Sequence, residues 1–295
     1  MAGLKEIKRR LRSVRNTKKI TYAMKLVSAA KLRKAQESVV RTREYSNAMN
    51  DLLAMLVRET KSLDLAHPLM ETRAEVKTIC LLVIGGGRGL CGGYNTNVNK
   101  MVESTIRSLT ARHPQATIKS VIVGKKPAEY YRRVRRDYVE AHENLGEDAN
   151  LWPVEEISRR IELEFAAGNY DEVHVIYTRF KSAISMIPTC EKLLPLEAAG
   201  LVGETSGSAA GNAIFEPSAR DVYGAIIPRI VRMKVRQAAL DAKASEQGSR
   251  MTAMDAATKN AGDLSYALQL KFNKVRQSRI TSELLDILGG AEALD

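Results

Sequence analysis

The residues best placed to do chemistry are the glycines of Gly85-Gly86-Gly87-Arg88-Gly89-Leu90-Cys91-Gly92-Gly93, where Gly87, Gly89 and Gly92 match GxGxxG. In that spacing, between a strand and a helix, backbone N–H groups can cradle a pyrophosphate. Such a site also needs an acid about 20 positions on, at the end of the next strand, to hold a ribose hydroxyl. Here that strand ends Val123-Gly124-Lys125 with no acid, and the loop lacks GK[ST]. A structural tight turn is favoured over dinucleotide binding.

Other chemistry finds less support. His67, His113, His142 and His174 are far apart and show no HExxH or similar metal-ligand spacing. Ser28 and Ser245 fall in helical runs without a nearby base, and no GxSxG nucleophile elbow is present. Glu155, Glu156, Glu162 and Glu164 share a helix with Arg159 and Arg160, the pattern of ordinary i,i+4 pairing. Tyr130-Tyr131-Arg132-Arg133-Val134-Arg135-Arg136 mixes cations with aromatics as an RNA surface does. Glu129, Asp137 and Glu140 flank it, however, and a solvated helix face is the simpler reading. Cys80, Cys91 and Cys190 are odd in number and scattered, as reduced, packed thiols are. The expectation is no catalytic residue, no cofactor and no metal.

Charge is the stronger clue. Residues 1–43 carry fourteen Lys/Arg against only Glu6 and Glu37, a surplus that equals the net +12 of the chain. The remainder is balanced, so one basic arm should meet something acidic. That arm begins in charged residues with no apolar h-region, unlike a signal peptide. The longest apolar runs, such as Ile79–Ile84, are far shorter than the ~20 residues a membrane-spanning helix needs.

The elements that would position these residues fall into three parts. From Leu4 to His67 there is neither proline nor glycine, and apolar residues recur at helical spacing. About 60 such residues make a rod on the order of 90 Å long. The last third repeats the pattern after Pro228, with Ala253, Ala256, Ala257 and Ala261 small enough to admit a partner helix, and Gly248 and Gly262 as candidate bends. Two matching rods at opposite ends predict an antiparallel two-helix coiled coil. Between them, strands at Val76–Ile84, Ile118–Val123, Glu172–Thr178 and Ile184–Leu194 alternate with helices near Thr96–Thr110, Pro127–Arg136 and Pro153–Ala167. That alternation predicts an α/β domain with Rossmann-like winding. The expected divisions are an N-terminal helix over 1–67, an α/β domain over 75–202, a flexible glycine- and serine-rich loop over 203–217, and a C-terminal helix over 218–295.

Three blocks together resemble one family. Lys18–Lys34 is similar to the N-terminal helix of F-type ATP synthase γ subunits of bacterial type, and Arg88–Asn95 to their glycine turn. Ala244-Ser245-Glu246-Gln247 with Arg250-Met251, and Asn273–Gln277 with Ile280-Thr281, resemble their final helix. Gly87 departs from the Asp that many members have there, and the chloroplast-type insertion with a cysteine pair is absent.

The resemblance implies a non-catalytic shaft standing inside a ring of three α and three β subunits, with ε and the membrane c-ring at its foot. It implies a peripheral position on the cytoplasmic face of a bacterial inner membrane, and no nucleic acid as partner. Met24, Lys25, Arg250, Arg276, Gln277 and Thr281 would contact β, with Lys25 near its acidic loops. Leu284, Leu285, Ile287 and Leu288 would sit in an apolar bearing, and Phe215 and Glu216 would face ε and the c-ring. Two rival readings are a basic coiled coil that binds nucleic acid and a nicotinamide-dependent enzyme. Neither explains two rods free of proline at opposite ends of the chain.

Overall fold

The computed structural model describes residues 3–59, 67–196, 216 and 218–292. In chain order, two long helices bracket the strands of a mixed sheet. Helix α1 spans Leu4–Glu59 and the last helix, α5, spans Ala219–Glu292. Between them come β1 (Thr78–Ile84), α2 (Tyr94–Arg112), β2 (Thr117–Val123), α3 (Lys125–Arg133) and β3 (Glu140–His142). Then follow α4 (Val154–Ala166), β4 (Glu172–Ser182) and β5 (Ser185–Leu194). The strand order is β3-β2-β1-β4-β5, with β5 antiparallel to β4 and the other pairs parallel. The chain forms two compact units, Met1–Ala29 with Arg250–Asp295, and Ala30–Ser249.

Central β1 is buried at every position after Thr78, which is why its sequence is one continuous β-branched and apolar run. Ile79, Leu81 and Val83 join Tyr94, Val98, Val102 and Tyr131 in a core between the sheet and α2 with α3. Arg73 fastens the edge of this unit by donating to the carbonyls of Phe165 (2.6 Å) and Tyr170 (2.9 Å) and to Asp171 (2.8 Å). Asp171 in turn accepts from the amides of Lys77 and Thr78 at the entry to β1.

The structure differs from the sequence reading in several places. Helix α3 ends at Arg133, three residues early; Val134 caps it, donating to the Tyr130 carbonyl (3.0 Å), and Arg135 takes a positive φ of 53°. Ile184 is the exposed hairpin tip before β5, not its first residue. Strand β3, half-buried and three residues long, carries no apolar run by which a sequence would reveal it. Helix α5 continues unbroken through Gly248 and Gly262, which serve close approach instead of bending. A Cβ at Gly248 would lie 3.2 Å from Met186 Sδ, and one at Gly262 would lie 3.2 Å from Lys18 Nζ. Ala261 is buried and Ala253 and Ala257 half-buried, but Ala256 faces solvent.

Proline stands inside α5 at Pro228, where it leaves the Gly224 carbonyl without its helical amide. The His67 ring donates to that carbonyl, while His67 Nδ1 accepts from Leu69 N at 3.1 Å. Ser218 starts the helix, its hydroxyl accepting from Asp221 N (3.2 Å) and donating to the Asp221 carboxylate (2.6 Å). From Ala238 to Gly248 the helix is buried on every side, charged residues included.

Candidate functional site

The glycine loop is a structural corner. A Cβ at Gly85 would meet the Pro127 ring at 2.9 Å, and one at Gly86 would meet Asn95 Oδ1 at 2.5 Å. Gly124 has φ +111°, and any Cβ there would lie 2.5 Å from the Gly85 carbonyl oxygen. These contacts hold the ends of β1 and β2 together, as does Gly85 N donating to Val123 O at 2.9 Å. A Cβ added at Gly87 or at Gly89 would meet open space. The Arg88 carbonyl accepts from Asn95 Nδ2 (3.2 Å) and from the Cys91 thiol, so the turn is tied to the start of α2 by its own groups.

The thiols and carboxylates are likewise spent on packing and pairing. Burial pushes the Cys80 thiol up to about 12 and raises Cys190 as well, leaving little thiolate for chemistry. Glu155 and Glu162 do not pair along α4 as expected. Glu162 takes Arg232 of α5 at 3.2 Å, Glu155 takes Arg232 and Arg236, and Arg160 bridges to Glu140 of β3. In the Tyr130–Arg136 run, Tyr131 is fully buried, and Arg132 and Arg136 form ion pairs with Glu143 and Glu103. Arg132, Arg133, Val134 and Arg135 are nonetheless exposed, as the simpler reading of a solvated face expects. Among the described residues no cluster of His, Cys, Asp and Glu is arranged to hold a metal ion. No described helix is long and apolar enough to cross a membrane.

The two long helices carry the features that matter. In the unit of residues 1–29 and 250–295 they lie side by side and antiparallel. Lys25 pairs with Asp255 (2.6 Å), Thr258 Oγ1 donates to Thr21 Oγ1 (2.8 Å) and Arg15 donates to Gln269 (3.0 Å). Asp255, first by its hydrogen bond and then by its charge, raises the pKa of Lys25. Met24 is half-buried and Arg250 is buried in this pair. Toward the start of α1, an open groove of about 1190 Å³ is lined by Lys5, Lys8, Arg9, Arg12, Arg15, Lys18 and Lys19 on one side and by Ser265, Gln269 and Phe272 on the other.

Each step back along α1 matches a step forward along α5. By that register Leu4 falls opposite roughly Arg276 to Ile280, and the remaining dozen or so helical residues project about 18 Å with no α1 residue beside them. Every described side chain from Arg276 to Leu288 is exposed. Thr281 Oγ1 donates to the Gln277 carbonyl (3.0 Å), and Arg279 pairs with Glu283 (2.8 Å). Leu284, Leu285, Ile287 and Leu288 stand 55–68% exposed. Glu216 is exposed, and Phe215 lies outside the described residues, as does the glycine- and serine-rich loop before it.

A family model described as ATP synthase matches residues 3–294, nearly the whole chain. The chain belongs to the ATP synthase gamma-chain family. Relatives bearing that name include proteins of Desulfitobacterium hafniense (40% identical) and Desulforamulus reducens (41% identical), each aligned over all of this chain and all of the relative. The Bdellovibrio bacteriovorus gamma chain is 37% identical over all of this chain and 99% of its own. The fold agrees. A chain of the Euglena gracilis mitochondrial ATP synthase OSCP/F1/c-ring structure superposes with TM-score 0.62 at 20% identity, covering 99% of this chain and 94% of that one. A chain of the Tetrahymena thermophila central stalk/c-ring structure gives 0.58 at 24% identity, covering 81% and 99%.

Residues that sequence reasoning missed are the acids receiving the basic arm. Lys31 pairs with Glu147 (3.0 Å), Lys34 with Asp148 (2.8 Å) and Arg43 with Asp241 (3.9 Å). With Lys25 and Asp255, four described cations of the arm therefore pair with acids outside it, and Arg33 pairs within it with Glu37 (3.5 Å). The one available signal was compensation: outside the arm the charges balance, so acids were available to meet it.

Proposed function

We propose that this chain is the central shaft of a rotary F-type ATP synthase, a non-catalytic subunit coupling rotation of the membrane ring to nucleotide chemistry on neighbouring subunits. Membership of the gamma-chain family supports the assignment. The observation that carries the shaft role is the end of α5, a helix exposed all round and apolar at its tip. A helix of that kind is unstable in water on its own account and needs a surrounding partner. In this reading α1 and α5 form an antiparallel coiled coil, and the sheet with its helices is a Rossmann-like foot.

The mechanism follows from symmetry. A single shaft inside three α and three β subunits cannot present the same surface to three equivalent neighbours. Each β therefore meets a different face, and its conformational equilibrium, with its nucleotide affinity, is biased differently. Turning the shaft moves those biases round the ring. A bias of about 1.4 kcal/mol already changes an affinity tenfold, so modest polar contacts suffice.

Arg276, Gln277 and Thr281 would supply such contacts, with Met24, Lys25 and Arg250 further along the pair. The groove lined by the basic arm suits acidic loops of β. Leu284, Leu285, Ile287 and Leu288 would turn in an apolar bearing, and Phe215 and Glu216 would face ε and the c-ring on the cytoplasmic side of the membrane. No nucleic acid, cofactor or metal enters this scheme.

The experiment is an assembled complex carrying Arg276→Ala. Because Arg276 is exposed, the chain should fold and assemble normally, while coupled ATP turnover falls by about tenfold, the worth of one charge-assisted contact. Turnover equal to wild type in a complete complex would remove Arg276 from the site.

A further inference from the structure

One carboxylate in the unit of residues 30–249 joins three separate elements. Glu147, in the loop between β3 and α4, lies 3.0 Å from Lys31 of α1, 3.1 Å from Arg88 of the glycine turn and 3.4 Å from Lys243 of α5. Its neighbour Asp148 takes Lys34 of α1 at 2.8 Å and caps its own loop by accepting from Asn150 N at 3.0 Å. Asn150 then donates to Ser38 Oγ of α1 at 3.2 Å. Lys243 is the least exposed cation of the group, its side chain 10% accessible, with Glu246 as a second partner at 3.5 Å. Its ammonium also lies 5.9 Å over the Trp152 ring.

Burial alone would raise the pKa of Glu147, but Lys31, Lys243 and Arg88 outweigh it and hold the group at about 2. Lys34, and then the Asn150 amides, hold Asp148 at about 2 as well. Both acids thus stay ionised throughout the physiological range.

We infer that the Glu147-Asp148 loop is a clasp that locks the inner stretches of α1 and α5, around Lys31–Ser38 and Lys243, to the α/β unit, so that turning force passes between them without slip. This rests on the shaft reading. Burial of apolar surface is non-directional: it resists separating a helix from a sheet but resists sliding or twisting only weakly. Charge-assisted hydrogen bonds are directional and fix register. Where Glu147 gathers Lys31 of α1, Lys243 of α5 and Arg88 of the glycine turn, the register is held by this network. A static protein gains little from exposed pairs of this kind. A shaft under torque gains a stiff joint. Glu147 and Asp148 are therefore positioning residues, acting through the helices they hold.

The test uses complete, membrane-reconstituted complexes carrying Glu147→Gln with Asp148→Asn, or Lys31→Gln with Lys34→Gln. Two quantities are read, the ATP hydrolysis rate and the protons pumped per ATP. The expected result is hydrolysis within about twofold of wild type and pumping per ATP at least about threefold lower, since exposed pairs add little to stability. Raising salt should bring the wild-type ratio down toward that of the variants, which should themselves respond little. The acidic pair Glu147→Asp with Asp148→Glu should recover most of the loss, which a merely destabilised fold would not do. If one pair of substitutions prevents folding, the other carries the same expectation. A pumping ratio equal to wild type in either folded variant overturns the clasp. A wild-type chain that assembles into no such complex overturns the shaft reading itself, a distinct outcome.

Discussion

Asp241→Asn should make the protein more stable at neutral pH. Asp241 lies in the all-round buried stretch of α5, and its Oδ1 has no hydrogen-bond partner. Burial is the main cause that pushes its pKa up from 3.8 to about 6, with Gln237 of its own helix and Arg43 of α1 opposing, Arg179 of β4 also lowering it and Glu191 of β5 raising it. The folded-state value is raised, so the folded chain binds this proton more tightly than the unfolded one. The associated stability is full below about pH 4, falls as pH rises, and is gone above about pH 6. A shift of about two units corresponds to roughly 3 kcal/mol, with the pull of Arg43 already included. Asparagine resembles the protonated acid and has no such dependence. The variant should match wild type near pH 4 and exceed it by about 3 kcal/mol at pH 7.5, roughly 6–12 °C in Tm for a unit of this size. Trp152, the single tryptophan, is buried in the same unit, so its fluorescence reports this melt. A difference between the two proteins that stays constant from pH 4 to 7.5, or a variant less stable at pH 7.5, would refute the reasoning.

Three further outcomes are expected. Gly124→Ala combines positive φ with a 2.5 Å clash against backbone; it should cost at least about 3 kcal/mol and appear as insoluble or early-melting protein. Arg73→Ala removes three hydrogen bonds and leaves Asp171 buried without its cation, a loss of about 3 kcal/mol at pH 7 by denaturant titration. Burial would raise Asp171, but Arg73 and the Thr78 and Lys77 amides hold it low. Its contribution is therefore present above about pH 4 and lost as pH falls further, and the Arg73 variant should show a shallower acid limb. Maleimide labelling of the folded chain at pH 8 should spare Cys80, which is fully buried with its pKa near 12; labelling of Cys80 before unfolding would contradict that burial.

The parts legible in sequence are those whose pattern has one physical cause. An apolar, β-branched run without alternation is a strand covered on both faces, so β1 lies within two residues of its expected start. A long stretch without glycine or proline leaves few options besides helix, and α1 fills it from Leu4 to Glu59. The end of β2 lacks the acid that a dinucleotide site requires, and the loop beside it is a packed corner.

What stayed hidden depends on partners distant in sequence. Lys243, Glu246 and Gln247 look like one polar helix face and Asp241 lies opposite them, yet all are buried, because α5 is surrounded there and pairing replaces water. Glu155 and Glu162 have arginines at the right local spacing, but arginines of α5 reach them instead. Glu147 and Asp148 sit in an unpatterned loop, and nothing local tells that Lys31, Lys34 and Lys243 will converge on them.

The composition of the assembled complex tests the shaft role most directly. The chain would be co-expressed with α and β subunits, and the native mass and ATPase rate of the purified product measured. One copy per three α and three β, with ATPase activity that depends on its presence, is the predicted result. A chain that purifies alone, or that brings down nucleic acid in a salt-sensitive way instead, would contradict it.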